Sequence, residues 1–219
     1  MPMDILYSFV GNHDPLTLPA PGEDPGPVIS LLRYQRFDHL VLFVTAPEYS
    51  ERAVVIQQAA AAAGRGPAPR CSFVTIRLES VVDYEEIFAR LSETIPEVEE
   101  NLPFSTEQMS RWVLLDPGTP AMQTVWFLMV RSGHFDATLL QGIPARFAGG
   151  TYRARMVDPS PAALAGGASD GGGRGAGGRG ATGRDARAET APRRRESDQD
   201  WTVSAPTILG QSADVALLH

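Results

Sequence analysis

His39-Leu40-Val41-Leu42-Phe43-Val44-Thr45 decides the fold. A strand with one face in water alternates apolar and polar positions. Leu40 to Val44 offers no polar position at all, so this strand is covered on both faces, as the strands of parallel sheets are. Its neighbours agree. Pro47 to about Ala63 is alanine-rich and helical, ends at Gly64, and carries Glu48 and Glu51 in its first turn, where the helix dipole favours acids. Upstream, Ile5–Val10 is a second apolar run, ended by the polar loop Gly11-Asn12-His13-Asp14-Pro15. After a Pro/Gly cluster, Pro27 opens a short helix with Val28, Leu31 and Leu32 on one face.

The same alternation continues downstream. Cys71–Leu78 reads as a third strand, nearer an edge, because its apolar residues alternate with Thr75 and Arg77. Asp83 is placed as the N-cap of a helix bearing Ile87, Phe88 and Leu91. Residues 96–110 are acidic and carry no clear period. Trp112–Leu115 is the fourth strand, broken by Asp116-Pro117-Gly118. Thr119 caps and Pro120 opens the next helix, whose stripe is Met122, Val125, Trp126 and Met129, and Gly133 follows its end. Ala137–Leu140 and Tyr152–Val157 complete the strands. Strand and helix in alternation predict an α/β fold: a Rossmann-like three-layer sandwich with a mainly parallel sheet.

Residues 1–159 form this domain. Residues 160–200 read as a Gly/Arg-rich disordered linker, with ten glycines between Gly166 and Gly183, and residues 201–219 as the stub of a second domain. The stretch Gly173-Arg174-Gly175-Ala176-Gly177-Gly178 satisfies GxGxxG, but it follows no strand and opens no helix, so it is no dinucleotide site.

Charge and composition exclude several functions. The net charge is -7, and residues 1–160 carry all of it, with 12 arginines against 19 Asp and Glu. An acidic domain does not wrap long nucleic acid, although a short anionic ligand fits a local pocket. All 19 basic residues are arginine. No Walker lysine, Schiff base or lysine general base exists in this chain. The single Cys71 cannot form an internal disulfide, which fits a reducing, cytoplasmic setting. No apolar run approaches membrane-spanning length, so no membrane association is expected. No cofactor is implied, and no metal site, since histidine and cysteine lack ligand spacing.

Ligands of such sheets sit at the carboxyl ends of the strands, near the switch in strand order. Three loops leave strands there: Gly11-Asn12-His13-Asp14, Thr45-Ala46-Pro47 and Asp116-Pro117-Gly118-Thr119. Gly118-Thr119 at a helix start offers backbone N–H groups to phosphate, or Thr119 only caps its helix. The first loop supplies donors, acceptors and a ring titrating near neutral pH, or it is only a turn. His39 and His134 read as structural or exposed.

The segments Ile5-Leu6-Tyr7-Ser8-Phe9-Val10-Gly11, Phe37–Phe43 with Thr45, and Leu114–Met122 together resemble the CARF domain, the Rossmann-like sensor of CRISPR-associated effectors, in its RtcR-type version. The resemblance spans about residues 4–158. Family members usually carry Asn/Thr-Thr/Ser-Gly-Thr where this chain has Asp116-Pro117-Gly118-Thr119. Pro206–His219 resembles the opening of a sigma-54-activator AAA+ domain, a resemblance that implies a sensor cut before its ATPase. The resemblance implies a ligand-sensing regulatory domain that binds a cyclic oligoadenylate or an RNA terminus between two protomers of a homodimer and controls an attached transcription activator. Gly11, Asn12 and His13 would contact the ligand, Gly118 and Thr119 would supply N–H groups and a hydroxyl, Met122 would pack beneath, and Thr45 would lie between the two loops. Two alternatives stay open: a ring nuclease with His13 as base, and a dimerisation module without a ligand.

Overall fold

A computed structural model describes residues 2–20, 23–63, 66–160 and 217–218. The linker read over 160–200 and the stub over 201–219 lie outside these, save Ser160 and Leu217–Leu218. The elements run β1 (Met3–Phe9), α1 (Gly26–Tyr34), β2 (His39–Val44), α2 (Pro47–Ala62), β3 (Arg70–Thr75), α3 (Tyr84–Glu100), β4 (Met109–Leu114), α4 (Pro120–Arg131), β5 (Thr138–Ile143), β6 (Arg153–Val157) and the two-residue β7 (Leu217–Leu218). The sheet order is β6-β5-β4-β1-β2-β3-β7. Strands β1 to β5 pair in parallel, while β6 runs antiparallel to β5 and β7 antiparallel to β3. This is the Rossmann-like, mainly parallel α/β sandwich expected from the alternation.

Period-two side-chain direction divides the apolar residues between two faces. Ile5, Tyr7, Phe9, Val41, Phe43 and Val74 face α3 and α4 through Leu91, Ile95, Met122 and Trp126. Leu6, Leu40, Leu42 and Val44 face α1 and α2 through Ile29, Leu32, Ala53 and Ile56. All six residues of β2 are buried, which is the continuous run its sequence showed.

Several boundaries differ from the sequence reading: β1 and β4 begin earlier than Ile5 and Trp112, at Met3 and Met109, and β5 runs on past Leu140 to Ile143. β3 starts at Arg70 and stops at Thr75, short of the expected Leu78, although Ile76 N–H still bonds the Val44 carbonyl at 2.9 Å. The unassigned acidic stretch is partly helix: α3 continues to Glu100 through Pro96. An interior proline costs a helix about 3 kcal/mol, and here Ile95 and Val98, both buried, hold the turns around it against the core.

α3, β1 and β4 are joined by one half-buried polar cluster. Arg111 grips Glu99 with two bonds, Nε to Oε1 at 2.6 Å and Nη2 to Oε2 at 2.9 Å. Tyr7 Oη donates to the same carboxylate at 2.8 Å. Burial and the facing Glu99 push the Tyr7 phenol well above its ordinary pKa, so it remains a donor. Removing one partner strands the rest. We expect Glu99→Ala to lower the unfolding free energy by about 3 kcal/mol in urea titration, and Glu99→Ala with Arg111→Met to recover most of that loss.

Candidate functional site

Strand order fixes where the site lies. From β1 the chain moves outward to β2 and β3, then returns to β4 on the other side of β1. The loops after β1 and β4 therefore leave the sheet side by side, where ligands of open α/β sheets bind. They touch. A Cβ placed on Gly11 would lie 3.1 Å from the Gly118 backbone nitrogen. Gly118 itself has φ +89°, and a Cβ there would come within 2.7 Å of Met122 Sδ and 3.4 Å of Phe9 Cβ. Gly118 needs glycine for its left-handed backbone, and Gly11 permits the close approach of the two loops.

Met122, buried, packs directly under Gly118. Thr119 caps α4: its Oγ1 accepts the Met122 N–H at 3.3 Å. The hydroxyl proton is also committed, to the Val81 carbonyl at 2.6 Å. The hydroxyl expected to face a ligand is thus turned inward, tying the β3–α3 connection to the start of α4. Thr45 follows β2 and is half-buried. Because β1 lies between β4 and β2, Thr45 flanks the two glycine loops rather than sitting between them.

The first loop is held from within and from α2. Gly11 N–H donates to Asp14 Oδ2 at 2.8 Å, closing the turn. Asp14 is fully buried, and its Oδ1 has no hydrogen-bond partner. Burial raises its pKa to about 6, against the pull of the Gly11 and Val28 N–H groups and the Arg52 guanidinium. Gly26, at φ +77°, lets α1 begin close against this loop: a Cβ there would be 2.5 Å from the His13 carbonyl oxygen. From the first turn of α2, Tyr49 Oη donates to Asn12 Oδ1 at 2.8 Å. Arg52 Nη1 donates to the carbonyl oxygens of Asn12, at 3.2 Å, and of Asp14. The side chains of Asn12 and His13 are left exposed.

Asp116, where the CARF pattern departs, also turns inward. Its Oδ2 accepts the Gly142 N–H at 2.6 Å and binds the β4–α4 loop to β5. Burial raises its pKa. The Tyr152 hydroxyl packs against Gly142 as well, where an added Cβ would meet it at 2.6 Å. Tyr49 and Arg52 had no motif to announce them. The readable signal was their i, i+3 spacing in a helix that starts directly after Thr45. His39 lies at the other, amino-terminal end of the strands, at the start of β2. It is buried, its Nε2 is 2.9 Å from Ser72 Oγ, and desolvation lowers its pKa to about 4. His134 packs on Phe88.

Two outcomes follow. Asp14 keeps its proton to a higher pH when folded than when unfolded, so its contribution to stability is full below about pH 4 and is lost as pH rises through about 6. Wild type should lose roughly 2–3 kcal/mol across that window relative to Asp14→Asn, measured by urea unfolding at a series of pH values. Thr119→Ala removes the cap and the Val81 tie together and should cost about 1–2 kcal/mol, with Thr119→Ser recovering most of it.

Comparison with known proteins adds the family. The family described as RtcR, regulator of RNA terminal phosphate cyclase, matches residues 25–158, more than half of the chain. No curated protein matches. Among solved structures, Csm6 of Enterococcus italicus bound to cyclic hexa-2'-fluoro-hexa-dAMP shares 18% identity at TM-score 0.50, over 66% of this chain and 34% of that one. Can2 of Sulfobacillus thermosulfidooxidans, in complex with cyclic tetra-adenylate, shares 16% identity at TM-score 0.44, over 71% of this chain and 38% of its own. The chain thus spans little more than a third of either protein. The Rossmann-like sheet, the glycine loops at its switch point and the match over residues 25–158 lead to one conclusion: this chain belongs to the RtcR family.

Proposed function

We propose that this domain is a ligand sensor, binding a cyclic oligoadenylate or an RNA terminus over the carboxyl ends of β1 and β4 and passing that state to an attached transcription effector. The observation that carries the reading is the contact between the two glycine loops. Gly11 and Gly118 bring two stretches of backbone together with no side chain between them, beside the N-terminus of α4. A phosphodiester is well matched to backbone donors and a positive dipole end. The chain offers no lysine to compete for that role.

Other features support the ligand class. Csm6, whose fold this domain shares, was solved with a cyclic hexanucleotide analogue. The family's description as a regulator of RNA terminal phosphate cyclase supports the RNA-end version and the link to regulation. The homodimer follows the CARF resemblance, and the sigma-54-activator resemblance over 206–219 supplies the effector. Asn12 and His13 are the exposed side chains of the first loop; from the second, Gly118 would offer backbone, since the Thr119 N–H points to Met122 Sδ at 3.4 Å.

Calorimetric titration with cyclic tetra-adenylate, cyclic hexa-adenylate, and short RNAs ending in a 3'-phosphate or a 2',3'-cyclic phosphate tests the proposal. One of these should bind with micromolar affinity or better. Gly118→Ala, which forces a Cβ toward Met122 Sδ, should weaken that affinity at least tenfold. Conversion of a labelled ring to linear product would make the domain a ring nuclease with His13 as candidate base. Failure of every probe would leave the dimerisation module.

A further inference from the structure

Asn12 stands exposed on the first loop, and its side-chain oxygen accepts a hydrogen bond. An amide presents an acceptor and a donor pair from opposite arms of one planar group, so whatever holds the oxygen also aims the nitrogen. Here the oxygen is held from outside the loop. Tyr49 Oη donates to Asn12 Oδ1 at 2.8 Å. Tyr49 is anchored in the first turn of α2, its own N–H bonded to the Ala46 carbonyl at 3.0 Å. One turn along, Arg52 Nη1 holds the carbonyl oxygens of Asn12 and Asp14, so the backbone beneath the amide is fixed from the same helix. Burial raises the Tyr49 pKa, so the phenol keeps the proton it donates.

We propose that Tyr49 is a positioning residue that locks the Asn12 amide with its Nδ2 hydrogens outward, making the first loop a dedicated donor to acceptor-rich ligand groups, phosphodiester oxygens foremost. This rests on the ligand-sensing reading and deepens it. Two of the candidate elements then act together: the glycine loops contribute backbone, and α2, which follows β2 directly, sets the polarity of a side chain on β1's loop. The arrangement favours an anion over a ligand that must itself donate. A tyrosine at position 49 and an asparagine at position 12 form one recognition unit, although 37 residues separate them.

The experiment has a ligand arm and a ligand-free arm. In the first, cyclic hexa-adenylate and cyclic tetra-adenylate are titrated into wild type, Tyr49→Phe, Asn12→Ala, the double variant and Asn12→Asp. Tyr49→Phe should weaken binding about five- to tenfold with the melting temperature unchanged, and should add nothing in the Asn12→Ala background. Asn12→Asp, which keeps an oxygen for Tyr49 but replaces the donor arm with charge, should bind worse than Asn12→Ala. Equal affinity in wild type and Tyr49→Phe, or an undiminished Tyr49 effect without Asn12, overturns the proposal. In the second arm, the Asn12 side-chain amide pair is followed by 15N–1H NMR in the ligand-free protein, assigned by its loss in Asn12→Ala. It should be well dispersed in wild type and move to the random-coil position in Tyr49→Phe. An unmoved pair overturns the lock whatever the ligand. Wild type that binds neither ring, with the pair moving as expected, overturns the cyclic-oligoadenylate reading and leaves the lock standing.

Discussion

β1 has water on neither face. Ile5, Leu6, Tyr7, Ser8 and Phe9 are all buried, with β4 on one side, β2 on the other, and helices above and below. At roughly 1.5–3 kcal/mol for each large apolar side chain removed from water, this strand and its neighbour β2 contribute heavily to the stability of the domain. Their double burial dictates the remaining architecture. α1 and α2 must cover Leu6, Leu40 and Leu42, and α3 and α4 must cover Tyr7, Phe9 and Phe43. A right-handed chain can cover both faces only by reversing direction across the sheet, and it reverses beside β1.

The functional geometry is a consequence of that reversal. Where the chain turns back, the loops after β1 and β4 have no connection running between them, and their ends form a crevice. Gly11 and Gly118 let those ends close to contact. Much of the polar chemistry around them is internal. Thr119 spends its hydroxyl on Val81 and Met122, Asp116 spends its carboxylate on Gly142, and Asp14 spends one oxygen on Gly11. These bonds tie the rim together and leave the side chains of Asn12 and His13 exposed.

The sequence made the fold legible because burial leaves a pattern. Leu40–Val44 has no polar position, and two-sided burial is the only arrangement that tolerates such a run in a folded α/β domain. Asp83 and Thr119 were legible as caps because the capping bond is local in sequence. The β3 boundary and the passage of α3 through Pro96 were not, since tertiary packing overrides the local signal at both. At the site, the glycine loops could be read as strand–turn–helix junctions. The hold of Tyr49 and Arg52 on residues 12–14 could not, because it joins positions about forty apart and depends on the angle at which α2 leaves β2. The position of Thr45 failed for the same reason: strand order, which periodicity does not encode, sets which loop lies between which.

On the proposed reading, one anionic ligand bridges the β1 and β4 loops. Amide hydrogen exchange, followed segment by segment with and without cyclic hexa-adenylate, tests this bridging. Slowed exchange in residues 11–14 and 118–122 together, with the β5–β6 hairpin unchanged, is the predicted result. Ligand-dependent protection confined to β5 and β6, or to only one of the two loops, would contradict it.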